Sequence, residues 1–162
     1  MENKLFNKKD LNHFFFILII FLLDRVTKLL IIYSADYNGE FDLVINSFLS
    51  FHLIWNEGIA FGLFSFDQKF YYNLLTAVII IVTLIIFWFV KNSKGKEKIG
   101  FSLIFGGSLG NIFDRIYYSS VPDFIDFHFN NFHWFIFNVA DIFISLGVFL
   151  LILIEIFPKK KI

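Results

Sequence analysis

Four stretches of this chain, about 11–33, 70–90, 99–118 and 138–157, stay apolar over the length a helix needs to cross a bilayer, about 20 residues. No soluble arrangement of 162 residues covers that much apolar surface. The chain is 57% hydrophobic and 22% aromatic, with 26 Phe, and its mean hydropathy is +0.70. Lipid is therefore the expected solvent. The length suits one integral-membrane domain over 1–162. The first stretch is too long, and too polar at its far end, for a cleaved secretory signal, and it lacks a small-residue cleavage site. It reads as a retained helix.

The basic residues orient the spans. Lys4, Lys8 and Lys9 precede the first, Lys91, Lys94, Lys96 and Lys98 lie between the second and third, and Lys159, Lys160 and Lys161 follow the fourth. The connections at 34–66 and 119–137 hold no Lys or Arg but carry Asp36, Glu40, Asp42, Glu57, Asp123 and Asp126. The positive-inside rule then places both termini and the 91–98 loop in the cytoplasm and the acidic connections outside. The expected arrangement is a membrane crossed by four helices. Net charge is zero, so nucleic acid is not an expected partner. With no cysteine there is no disulfide, thiolate metal site or thiol nucleophile.

The first outer connection, "FDLVINSFLSFHLIWNEGIAFGLF", alternates β-branched and aromatic residues between turn signals at Asn38-Gly39 and Asn56-Glu57-Gly58. It predicts a small β-rich insertion over 34–66 at the outer interface, with Trp55 among its anchors. The second connection, with His128, His133 and Trp134, has a similar interfacial character.

Polar residues recur near the outer ends of three spans: Asp24, Thr27 and Lys28, with Arg25 beside them; Ser108, Asn111, Asp114 and Arg115; Asn138, Asp141 and Ser145. A charge at a helix centre costs about 2.5–3.5 kcal/mol on insertion scales, so three such stripes at one depth point to a shared polar pocket. Plainer readings stand beside this one. Asp24 with Lys28 is also an i,i+4 ion pair, and Asp114 with Arg115 reads first as a structural cluster near headgroups. Gly106 and Gly110 have the spacing of close helix packing. His52, His128 and His133 lack ligand spacing of the HExxH kind and read as interfacial. No metal or cofactor is expected.

Asp141 resists a plain reading, because no basic residue lies three or four positions away on its helix. Asp123 and Asp126 lie on the connection that feeds this helix, which is long enough to fold back and set Asp123 beside Asp141. Two carboxylates in one site do not both ionise easily, so one keeps a proton while the other acts as base. Such a pair can activate water against a peptide carbonyl.

The motifs "DRVTK" at 24–28, "NEGIAFG" at 56–62, "GGSLGNIFDR" at 106–115, "VPDFIDF" at 121–127 and "FNVAD" at 137–141 run in order through the chain. In this the sequence resembles the lipoprotein signal peptidase (signal peptidase II) family, the bacterial membrane aspartic peptidases. The resemblance implies that Asp123 and Asp141 are catalytic. It implies that Asp24, Lys28, Asn56, Gly58, Asn111, Asp114, Arg115, Asn138 and Ala140 bind substrate or support the site. The implied fold is mainly α: four transmembrane helices, a small extracytoplasmic β-cradle and a second outer loop over an active site near the outer leaflet. Prolipoproteins bearing a diacylglyceryl cysteine are the implied substrates, cut on the amino side of that cysteine. Membrane lipids and globomycin-type inhibitors are the other implied partners, and the expected state is a monomer.

The chain departs from the family pattern at Arg25, where Gln is common, at Ile59 for Ala, at Pro122 for Val and at Phe135 for Pro. Arg25 is expected to add a headgroup contact. Two other classes fit the composition less well. A transporter would spread its acids through the membrane depth or show inverted repeats. A non-catalytic binder would lack one Asp of the pair.

Overall fold

The structure is a computed structural model describing residues 8–39, 41–58, 68–129 and 132–157. Four helices, α1 (Lys8–Asn38), α2 (Gln68–Asn92), α3 (Gly95–Tyr117) and α4 (Val139–Ile156), accompany strands β1 (Asp42–Asn46), β2 (Leu49–Asn56), β3 (Val121–Phe129) and β4 (Phe132–Phe137). Motif residues 59–62, Glu40, Lys4 and Lys159, Lys160 and Lys161 lie outside the described residues.

Two helices are long and apolar enough to cross a membrane by length and composition, Lys69–Asn92 at mean hydropathy 2.7 and Val139–Ile156 at 2.5. The other two carry ionisable groups into the bundle, Asp24, Arg25 and Lys28 on α1 and Asp114 on α3, all buried. Their outer faces are nonetheless apolar, with Leu30 and Ile116 more than half exposed. Among the described residues, buried polar and charged side chains outnumber buried hydrophobic ones. A bundle that is polar inside and apolar outside is stable where its surroundings are themselves apolar.

Helix α3 is the hub, packing against α1, α2 and α4. Its approach to α4 relies on missing side chains: a Cβ on Gly107 would come within 2.5 Å of the Ala140 carbonyl oxygen, and one on Gly147 within 2.6 Å of that of Gly100. The expected packing role of Gly106 is met on α1, where its Cβ would touch Ile20. Stacked rings join α2 to α3, Phe87 on Phe105 and Phe89 on Phe101. Helix α1 runs past the expected end near Tyr33, and Ser34 and Asn38 each donate back to the carbonyl four residues earlier.

One antiparallel sheet, in the order β1-β2-β3-β4, caps the bundle. Within the stretch 34–66, residues up to Asn38 continue α1 and the strands are β1 and β2; the second connection is a hairpin of the same sheet rather than a separate loop. Its alternation was masked by the run Val121–Phe124, buried on both faces. Two departures from the family pattern make sense here. At Pro122 strand β3 has a strand neighbour on one side only, because β4 pairs with it from Ile125 onward, so the missing N–H is tolerated. Phe135, paired with Phe127, keeps in β4 a donor that proline would lack.

Candidate active site

Asp123 is 4% exposed on the buried half of β3. Its Oδ2 accepts a hydrogen bond from Asn56 Nδ2 at 2.8 Å, and its Oδ1 accepts from Asn138 Nδ2 at 2.5 Å. Asn56 ends β2, across from the start of β3. Its Oδ1 accepts from the Gly58 backbone N–H at 2.7 Å, which fixes the amide so that its donor faces Asp123. Gly58 has φ +73°, and a side chain there would also run into the Arg115 guanidinium and Leu75. The turn therefore needs glycine on both counts.

Asp141 is the third residue of α4, and Asn138 is its N-cap. The two form a reciprocal capping box: Asn138 Oδ1 accepts from Asp141 N–H at 3.2 Å, and Asp141 Oδ2 accepts from Asn138 N–H at 3.1 Å. Asp141 Oδ1 accepts from Asn111 Nδ2 of α3 at 2.8 Å. Asn138 thus touches both carboxylates, its amide nitrogen on Asp123 and its amide oxygen and backbone on Asp141. Burial pushes the Asp123 carboxyl up to about 6, against the Asn56 and Asn138 hydrogen bonds and with added repulsion from Asp141; Lys28 lowers it slightly.

Beneath the pair lies a four-charge cluster. The Arg25 guanidinium reaches both oxygens of Asp114 and, at 2.7 Å, Asp24. Lys28 Nζ lies 3.0 Å from Asp24 and 2.6 Å from Asp114. Two anions and two cations make it neutral. Asp24 also accepts the Ala140 N–H at 3.0 Å, an otherwise free donor in the first turn of α4. Gly110 makes room for this, since a Cβ there would collide with the Asp24 carboxylate.

Three expectations change. Arg25 makes no headgroup contact: it is 7% exposed and its guanidinium is drawn inward by two carboxylates. Asp114 pairs with Arg25 and Lys28, not Arg115. Arg115 stands apart, 5.5 Å over the Tyr72 ring and under Gly58. Thr27 turns away from the cluster and donates to the carbonyls of Leu23 and Asp24. The wiring missed by sequence reasoning is Lys28 Nζ to Asn111 Oδ1 at 2.9 Å. That bond orients the Asn111 amide toward Asp141, and no local spacing signals it. A cleft of about 370 Å³ reaches Asp123 between Trp55, Asn56, Glu57 and Ile136.

The model of the family described as Signal peptidase (SPase) II matches residues 16–157. The chain belongs to the signal peptidase II family. Membership makes it a peptidase. It is 51% identical over 160 residues to a lipoprotein signal peptidase of Pelagibacter ubique, covering 96% of each chain. It is 38% identical to a lipoprotein signal peptidase of Francisella tularensis subsp. mediasiatica, over 95% of this chain and 97% of that one. Among solved structures it resembles a bacterial membrane enzyme obtained by the in meso method at 1.9 Å resolution, with TM-score 0.74, 28% identity and 92% and 94% of the two chains covered.

Proposed function

We propose that this chain removes signal peptides from prolipoproteins, with Asp123 and Asp141 as a catalytic pair that activates water. The observation that carries the reading is Asn138, which holds both carboxylates through a single side chain and its own backbone. The ionised member of the pair takes a proton from water as the oxygen attacks the scissile carbonyl. The neutral member hydrogen-bonds the carbonyl oxygen as it gains charge, and a proton passes to the departing amine as the C–N bond breaks. Asn56 and Asn111, each locked by a second hydrogen bond, keep the acids aimed. The cut falls on the amino side of a diacylglyceryl cysteine.

The four helices span a bacterial cytoplasmic membrane with both termini inside, as a monomer. The diacylglyceryl chains lie against the bundle, and the sheet covers the site from outside. Globomycin-type peptides block it. Support comes from the lysines at 91–98, from the two apolar helices and from the polar interior. The test is cleavage of a diacylglyceryl-modified prolipoprotein by purified protein. Asp123→Asn and Asp141→Asn should each remain folded and lose at least about 10²–10⁴-fold in rate. A folded variant that cuts at the wild-type rate would refute the pair.

A further inference from the structure

Outside the site just described, the other face of the sheet gathers three histidines around one acid. Ser50 and His52 alternate along β2, Asp126 and His128 along β3, and His133 stands opposite His128 on β4. Alternate residues share a sheet face, so the pleat points these side chains the same way. Asp126 Oδ2 lies 2.7 Å from His133 Nδ1, 3.3 Å from His128 Nδ1 and 3.9 Å from His52 Nδ1, and it accepts from Ser50 Oγ at 3.2 Å. Asp126 is fully buried, yet its Oδ1 has no hydrogen-bond partner.

We infer that Asp126, His128 and His133, with His52 at the margin, form a binding site for a divalent transition-metal cation such as Zn²⁺. The ligand atoms of the first three all lie within 4.8 Å of one another. Imidazole nitrogen and carboxylate oxygen are the donor set such ions take. Ligands at about 2.0–2.1 Å from a tetrahedral ion stand about 3.4 Å apart. The His128–Asp126 separation of 3.3 Å already fits. His133 must swing out from 2.7 Å, and its side chain, 55% exposed, has room to do so. The second pointer is the other oxygen of the same carboxylate, Oδ1, which is buried without a hydrogen-bond partner; a cation on Oδ2 would offset the charge that this oxygen leaves uncompensated. A cavity of about 770 Å³ opens onto the cluster and is also lined by Asp36 and Asp42, an acidic approach that concentrates cations.

The ion would staple β2, β3 and β4 together. Asp126 lies three residues beyond Asp123 on β3, so the staple would stiffen the strand that carries one acid of the proposed pair. The metal site itself does not depend on that pair.

The test uses the full chain without an affinity tag, in detergent micelles, titrated with Co²⁺ as a visible probe. One Co²⁺ per chain is expected, with the intense absorption of a low-coordinate ion bound by nitrogen and oxygen, displaced by Zn²⁺. His133→Ala and Asp126→Asn should each weaken binding at least about tenfold, the lower end of the range for residues that merely support a metal's ligands. Zn²⁺ should raise the thermal midpoint of the wild type, and by clearly less that of His133→Ala at the same concentration. Absence of stoichiometric Co²⁺ binding by the wild type overturns the inference. So does equal binding by folded His133→Ala.

Discussion

Replacing Lys28 by methionine keeps the volume of the side chain and removes its charge. Lys28 is fully buried, and its Nζ faces Asp24, Asp114 and Asn111. Without it, two buried carboxylates share the single Arg25 cation, and the neutral cluster becomes net negative. Breaking one partner out of a buried charge group costs about 3–5 kcal/mol, more than a hundredfold in the folding equilibrium. Asp114→Asn alone leaves the opposite imbalance, Arg25 and Lys28 against Asp24, and should cost a similar amount. The double variant restores one anion and one cation. Its cost should therefore fall short of the summed single costs by at least about 2 kcal/mol. Reversible unfolding in mixed micelles, followed by far-ultraviolet circular dichroism for all four proteins, reads this directly. Additivity within about 0.5 kcal/mol would refute the claim that the four charges act as one neutral unit. Cleavage supplies a separate readout: Lys28→Met frees the Asn111 amide that aims Asp141, whereas Asp114→Asn leaves the Lys28–Asn111 bond in place.

Two further predictions follow from the same geometry. Burial holds Asp123 near 6 against an ordinary 3.8. Its contribution to stability is thus complete below about pH 4 and is lost as pH rises through about 6. The thermal midpoint of the wild type, measured relative to Asp123→Asn, should drop across that window, and Asn56→Ala, which removes a bond favouring the ionised form, should move the drop to higher pH. A flat difference would remove the raised carboxyl. Gly110→Ala should cost about 1–3 kcal/mol by forcing a methyl against the Asp24 carboxylate. Gly39→Ala meets nothing within 4 Å and strains only its φ of +80°, so it should cost less. The two thermal midpoints compared in one detergent decide it.

Much of this was legible along the chain, and the illegible part has physical causes. Long apolar runs mark helices because period and length leave no other way to satisfy the backbone. Asp141 stood out because its own helix offers no cation, and the structure gives it Asn111 and Asn138 instead. The sequence N-x-x-D at 138–141 is itself a cap signal. The inward turn of Arg25 is not legible along the chain, because a long side chain on a span can point toward headgroups or inward. What decides is Asp114, 89 positions away. The histidines around Asp126 escaped for the same reason: their grouping comes from the register of three strands and has no fixed spacing in one. The β3–β4 hairpin escaped because a strand buried on both faces loses its alternation.

The capping box also bears on when this protein becomes dangerous to its neighbours. The hydrogen bonds that close the first turn of α4 use the same carboxylate that the proposed chemistry needs, and the same asparagine that restrains Asp123. A molecule whose last helix has not yet wound and docked against α3 therefore has no aligned pair of acids. On the proposed chemistry, assembly acts as the safety catch: hydrolysis begins only once α4 has wound and docked.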